Sequence, residues 1–287
     1  MSDITRVGVI GAGLMGSGIA EVSANAGLDV LVVEADSAAL DAGRNRIGKS
    51  MQRAVDKGKR SAEDRDAALA RTTFSVDIGD CADRDVVIEA VAENESVKLD
   101  IFGKLDTIVQ RPDAVLASNT SSIPIMRLAM ATSRPEKVVG LHFFNPVPVL
   151  KLVEIIPSLL TDSGTTERAE ALAGTLGKTV VRAPDRAGFV VNALLVPYLL
   201  SAIRMVEAGH STPEDIDNGM VLGASHPMGP LRLADMIGLD TTKAVADSLY
   251  AEYREPQYAP PPLLLRMVDA GLYGKKSGRG FYDYRGE

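Results

Sequence analysis

The glycine turn Gly11-Ala-Gly13-Leu-Met-Gly16 constrains this chain more than any other stretch, because of what stands on either side of it. Before it, Arg6-Val-Gly-Val-Ile10 is a short apolar run with strand character. After it a helical pattern runs to about Ala26, where Gly27 stops it. Leu28-Asp-Val-Leu-Val-Val33 is then a second buried strand, ending at Glu34. Strand, tight turn, helix and parallel strand make one βαβ unit of a doubly wound sheet. In such a turn the glycines permit the bend, let backbone approach a pyrophosphate and let the helix pack closely on the sheet. The helix start, with Leu14 and Met15 in its first turn, offers free N–H groups and a positive dipole end to phosphates. Glu34 stands where an acid accepts from the adenosine ribose hydroxyls. Its charge repels the extra phosphate of NADP, so the expected cofactor is NAD.

The next part departs from the usual strand rhythm. Ser37 to about Lys59 reads as a long helix and Ser61 to Arg71 as a second, together a helical hairpin inserted in the sheet domain. Arg46, Lys49, Arg53, Lys57 and Arg60 recur at helical spacing and share one face, which suits either a phosphate-rich ligand or plain solvent. Strands are expected at Thr73–Val76, Asp85–Val91 and Ala114–Ser118, with a helix from Glu93 to about Val109. The polar cluster Asn119-Thr-Ser-Ser122 follows a buried strand, where it can cap a helix or serve a ligand. Val138–Phe144, Lys151–Ile156 and Thr179–Arg182 complete the sheet. Ala183-Pro-Asp-Arg-Ala-Gly188 is the natural boundary between a Rossmann-type domain, 1–186, and a domain with helical periodicity to the end, 187–287. Asn192 sits early in that domain's first, apolar helix, where an amide needs a backbone or ligand partner.

Of the three histidines, only His142 lies where a parallel sheet would end, the edge at which open α/β folds collect ligands. Asn145-Pro146 breaks its strand, and a second apolar run delivers Glu154. A strand, a turn and a return strand set a carboxylate beside an imidazole, holding its tautomer and stabilising its cation. A histidine beside aromatics is often mere packing. Here the position favours a general base with its orienter.

Composition narrows the classes further. A net charge of −7 over 287 residues argues against a general nucleic-acid binder. Cys81 is the only cysteine, so no intrachain disulfide or thiolate metal cluster is expected, which suits a reducing cytosol. The N-terminal Met1-Ser-Asp-Ile runs straight toward a strand with no signal pattern. The longest apolar stretch, Gly188–Ile203, carries Asn192 and Pro197 and is short for a membrane span. A soluble, cytoplasmic protein without metal is the expectation.

Taken together, the motifs resemble the 3-hydroxyacyl-CoA dehydrogenases, most of all the short single-function bacterial 3-hydroxybutyryl-CoA dehydrogenases. The resemblance spans nearly the whole chain. It rests on the glycine turn, Ser118-Asn-Thr-Ser-Ser122, Gly140-Leu-His-Phe-Phe-Asn-Pro146 and Lys151-Leu-Val-Glu154. It continues through Gly188-Phe-Val-Val-Asn192, Pro227-Met-Gly-Pro230, Gly238-Leu-Asp-Thr-Thr242 and Gly274-Lys-Lys-Ser-Gly-Arg-Gly-Phe-Tyr282. By resemblance, His142 is the catalytic base, Glu154 its partner, and Ser121 and Asn192 contact the reacting part of the substrate. Glu93, Lys98, Ser121, Asn145 and Lys276 match family positions near the nicotinamide half of NAD. Ser50 and Lys57 match positions on the helical arm that, with Ser121, meet the CoA thioester. The helical domain is the family's dimerisation element. The implied reaction is reversible oxidation of an (S)-3-hydroxyacyl-CoA, with hydride passing from C3 to NAD. Two other readings stay open: a dehydrogenase of a free hydroxy acid or sugar acid, of the gulonate type, and a non-catalytic NAD-binding protein. Glu34 departs from the aspartate of many relatives.

Overall fold

Eight short apolar runs form one sheet: β1 (Arg6–Ile10), β2 (Asp29–Val33), β3 (Thr72–Ser75), β4 (Val86–Glu89), β5 (Val115–Ser118), β6 (Val138–Phe143), β7 (Leu152–Pro157) and β8 (Thr179–Arg182). In this computed structural model, which describes residues 4–286, their order is β3-β2-β1-β4-β5-β6-β7-β8. Met1 to Asp3, where the sequence shows no signal pattern, lie outside the described residues. Pairing is parallel from β3 across to β6, antiparallel between β6 and β7, and parallel again between β7 and β8. The chain winds outward from β1 in both directions, so the carboxyl ends of β1 and β4 flank the switch point where such sheets bind nucleotides.

The first of two compact units, Met1–Arg186, holds this sheet. Its helices are α1 (Leu14–Asn25), α2 (Ser37–Asp56), α3 (Ala62–Ala70), α4 (Glu95–Ile108), α5 (Ile125–Ala129) and α6 (Ser163–Thr175). Side chains cap the starts of most of them: Asp36 accepts from Ala39 N, Ser61 from Asp64 N, Asn94 from Val97 N and Asp162 from Thr165 N. Apolar faces of α1, α2 and α6 close over Val9, Val32, Ile88, Leu141 and Ile155. That burial is the main force fixing the strands, at roughly 25 cal/mol per Å² of apolar surface.

The second unit, Ala187–Glu287, is built from α7 (Val191–Glu207), α8 (Pro213–Asn218), α9 (Pro230–Ile237), α10 (Leu239–Tyr253) and α11 (Pro262–Asp269). Leu199, Ile203, Leu231, Leu249 and Leu264 fill its core. The helical pattern does not continue to the end, as the sequence led us to expect. Gly271, Gly274 and Gly278 take positive φ, and the closing segment folds into bridges between Gly274, Arg279 and Asp283. Asp235 ties it down, accepting from Phe281 N and Tyr282 N at 3.0 and 2.9 Å. Among the described residues no helix is long and apolar enough to cross a membrane.

Candidate active site

The glycine turn has the geometry of a phosphate cradle. Gly11 takes φ 95° and donates its N–H to Val33 O at 2.8 Å, locking the turn across the top of β2. A Cβ on Gly16 would lie 1.8 Å from Gly11 O, so only glycine lets α1 start this close to the strand. A Cβ on Gly13 would meet nothing within 4 Å, so the turn opens outward there. Gly13 is also the N-cap of α1 and brings no side chain to its first N–H groups, which lack intrahelical acceptors. Leu14 beside it is exposed. Glu34 sits at the end of β2 and accepts from Ala12 N. These groups fit the pyrophosphate and adenosine ribose of a dinucleotide. One contributor was not read from the sequence: Arg46 of α2 donates to Ala12 O, and Gly43 one turn earlier lets α2 lie against Ala12. The basic stripe on the arm is therefore not uniformly solvent-facing.

His142 stands on β6 directly opposite Glu154 on β7. The antiparallel return after Asn145-Pro146 sets this register, so the buried carboxylate lies beside the ring. Glu154 Oε2 is 2.7 Å from His142 Nδ1, with Glu154 0% and His142 4% exposed. The other ring nitrogen, Nε2, is 2.8 Å from Ser121 Oγ. A carboxylate on Nδ1 keeps the proton there, leaving Nε2 as the basic nitrogen. Phe144 flanks the ring at 4.7 Å between centroids.

Ser121 is held in place by its own loop, which follows β5. Glu93 Oε1 accepts from Ser121 N at 3.0 Å, Ser122 N at 3.2 Å and Ser122 Oγ at 2.9 Å, and from the Thr120 hydroxyl. Asn119 Oδ1 accepts from Phe143 N at 2.9 Å, tying the loop to the strand that carries His142. Desolvation pushes the Glu93 carboxyl up, but the Lys98 ammonium and these donors together hold it below the usual glutamate value. Lys98 is only 1% exposed and reaches Glu93 Oε2 at 3.3 Å and Glu89 Oε1 at 2.6 Å. Glu89 escaped the sequence reading. The available signal was a carboxylate closing the apolar run Val86-Val87-Ile88, at the carboxyl end of a strand.

Known proteins match both halves of this arrangement. The model of the 3-hydroxyacyl-CoA dehydrogenase NAD binding domain covers residues 6–186, and the model of that family's C-terminal domain covers residues 188–284. The chain belongs to the 3-hydroxyacyl-CoA dehydrogenase family. It is 64% identical to 3-hydroxybutyryl-CoA dehydrogenase of Mycobacterium tuberculosis, over 99% of this chain and 100% of that protein. It is 46% identical to a probable 3-hydroxybutyryl-CoA dehydrogenase of Bacillus subtilis, over 98% of each. The crystal structure of M. tuberculosis FadB2 superposes with a TM-score of 0.97 at 63% identity, over 98% of this chain and 99% of that one. That of (S)-3-hydroxybutyryl-CoA dehydrogenase PaaH1 from Ralstonia eutropha gives 0.94 at 45% identity, with the same coverage. This protein is thus an oxidoreductase whose first unit is the family's NAD-binding domain.

The remaining residues expected in the dehydrogenase's site are placed as follows. Asn145 is exposed just beyond β6. Burial raises the carboxyl of Glu21 on α1 and outweighs the lowering by Ser50 of α2, Arg60 and Arg53. Lys57 is the exposed C-cap of α2. A cavity of about 460 Å³ is lined by Glu21, Asn25, Lys59, Arg60, Lys151 and Lys178 with the Pro148–Leu150 wall. Asn25 Oδ1 is buried there with no donor among the described residues. In the second unit, Asn192 lies in the first turn of α7, and Lys276 donates to Asp240 at 2.6 Å. No group of three or more His, Cys, Asp or Glu side chains among the described residues could hold a metal.

Proposed function

We propose that this dehydrogenase interconverts (S)-3-hydroxybutyryl-CoA and acetoacetyl-CoA, with His142 as general base and Glu154 as its partner. The observation that carries the proposal is the relay in which buried His142 bridges buried Glu154 at 2.7 Å and half-buried Ser121 at 2.8 Å. The names of its relatives support the short acyl chain. The substrate 3-hydroxyl donates to Nε2, the position at which Ser121 now meets the ring. His142 takes the hydroxyl proton as the C3–H bond breaks, and Glu154 stabilises the imidazolium. NAD, when bound on the glycine turn, supplies the hydride acceptor. In the reverse direction the imidazolium returns its proton to the alkoxide oxygen. Positioned proton transfer of this kind contributes about 10²- to 10⁴-fold. Ser121 then turns to the substrate, and Asn192 of the second unit is assigned to the same task on the family motif. Glu93, Lys98, Asn145 and Lys276 are assigned to the nicotinamide half of the cofactor.

Ser50, Lys57 and the cations around the arm-side cavity are assigned to the phosphorylated end of CoA. The cavity's Lys59, Arg60 and Lys151 support this over a free acid, which has no phosphate to place there. Exposed Leu194, Leu222 and Met236 on the second unit support a homodimer. The single buried thiol supports a reducing, cytoplasmic setting, and an acyl-CoA substrate supports a role in fatty-acid metabolism. The test is NADH oxidation with acetoacetyl-CoA beside free acetoacetate and NADPH. Turnover with NADH and the thioester alone is expected. Turnover of the free acid would move the protein to hydroxy-acid or sugar-acid chemistry, and tight NADH binding without turnover would make it a non-catalytic binder.

A further inference from the structure

Hydrogen bonds holding the loop that carries Ser121 lead back to one buried carboxylate that the proton transfer does not use. Glu89 closes β4 between Ile10 of β1 and Ser118 of β5, and it is 0% exposed. Its Oε2 accepts from Ser118 Oγ at 2.6 Å, and that hydroxyl accepts from Thr120 N at 3.2 Å. Its Oε1 accepts from Lys98 Nζ at 2.6 Å and Val91 N at 2.7 Å. Lys98 reaches on to Glu93, the acceptor for donors on Thr120, Ser121 and Ser122. Even the main chain joins in, since Glu89 O accepts from Asn119 N at 2.8 Å.

Two routes therefore run from Glu89 to the serine that faces His142: one through Ser118, the other through Lys98 and Glu93. A buried ion pair is weak evidence for stability, because apolar residues of the same volume often do as well. What it supplies is direction. Each carboxylate oxygen fixes donors at hydrogen-bond distance, and a site on a loop needs that support to stay within a fraction of an ångström. We propose that Glu89 is a positioning residue for proton transfer, setting Ser121 against His142 Nε2 through Ser118 and through the Lys98–Glu93 pair. This rests on His142 being the base.

The test uses Glu89→Gln, which keeps the shape and removes the charge, and Ser118→Ala, which cuts one route without leaving a buried ammonium short of its partner. Ser121→Ala is the reference. The chain has three histidines, so ring ¹⁵N resonances of His142 can be identified by comparison with His142→Gln. Expected in both test variants is a fall in kcat of about 10- to 100-fold, the scale of a small misplacement, with KM for acetoacetyl-CoA nearly unchanged. The His142 Nε2 resonance and the pH profile of kcat should move toward those of Ser121→Ala. Combining Glu89→Gln with Ser121→Ala should cost little more than Ser121→Ala alone, as groups in one network do. If Glu89→Gln fails to fold, Ser118→Ala decides alone. Folded variants with wild-type His142 resonances and pH profile, or losses that add to that of Ser121→Ala, would overturn the proposal. A failure of the functional reading would look different: wild-type protein would not reduce acetoacetyl-CoA, while the ring resonances would still report whether Glu89 positions Ser121.

Discussion

Replacing Glu154 with glutamine keeps the side chain's shape and removes only its charge. The carboxylate is 0% exposed and lies 2.7 Å from His142 Nδ1, so no solvent screens the pair. At a charge separation of about 4 Å and an effective dielectric of about 20, the Coulomb attraction it offers an imidazolium formed during proton transfer is about 4 kcal/mol. Lost entirely from the transition state, that is roughly a factor of 10³ in rate. The glutamine oxygen still accepts from Nδ1, so part of the orientation survives, and the expected fall in kcat is about 10²- to 10³-fold. NADH affinity should hold, because the charge removed acts on the ring of His142 and not on the glycine turn. The assay is steady-state NADH oxidation at saturating acetoacetyl-CoA, with NADH binding followed separately by fluorescence. A kcat within about threefold of wild type, under about 0.7 kcal/mol, would refute the electrostatic role given to Glu154.

Gly16→Ala places a Cβ 1.8 Å from Gly11 O, so α1 must move off the turn; the expected result is a rise of about tenfold or more in the NADH dissociation constant, measured by fluorescence titration. Unchanged affinity would contradict the close-packing role of that glycine. Burial pushes the Cys81 thiol up to about 12, so a thiol reagent at neutral pH should label it only on unfolding, and fast labelling of native protein would contradict its burial. Asp85 and Asp106 behave alike toward acid. Burial raises both carboxyls, but backbone N–H groups of Thr5 and Arg6 on one, and of Ser133 with the Arg134 guanidinium on the other, hold them below the usual value. The unfolded chain then binds more protons than the folded one near pH 4, so this stability is present above that range and is lost as pH falls through it toward the lowered values. Asp106→Asn should flatten the acid limb of the stability curve followed by circular dichroism, and an unchanged limb would contradict this.

Much of the fold was written in local pattern. The strand, turn, helix and strand from Arg6 to Val33 could be read because the glycines, the apolar runs and Glu34 each carry their own signal. The arm was legible from helical spacing, and in the structure Asp36 and Ser61 cap its two helices. The His142–Glu154 register followed from a proline break between two strands. Long-range polar contacts were not legible. Nothing local tells that Glu89 faces Lys98 and Ser118, since a carboxylate ending an apolar run reads the same whether it is solvated or buried. Arg46 looked like one member of a basic stripe, yet it spends its guanidinium on Ala12 O. The closing segment misled because glycines with positive φ interrupt its periodicity, and at one of them, Gly274, a Cβ would lie 2.2 Å from Asp235 O.

The most direct measurement of the central claim is the turnover of His142→Gln with NADH and acetoacetyl-CoA, made alongside NADH binding to the same variant. Loss of most turnover with wild-type NADH affinity is the expected result, because the change removes the proton carrier and leaves the glycine turn and Glu34 intact. Near-normal turnover would contradict the assignment of His142 as the base.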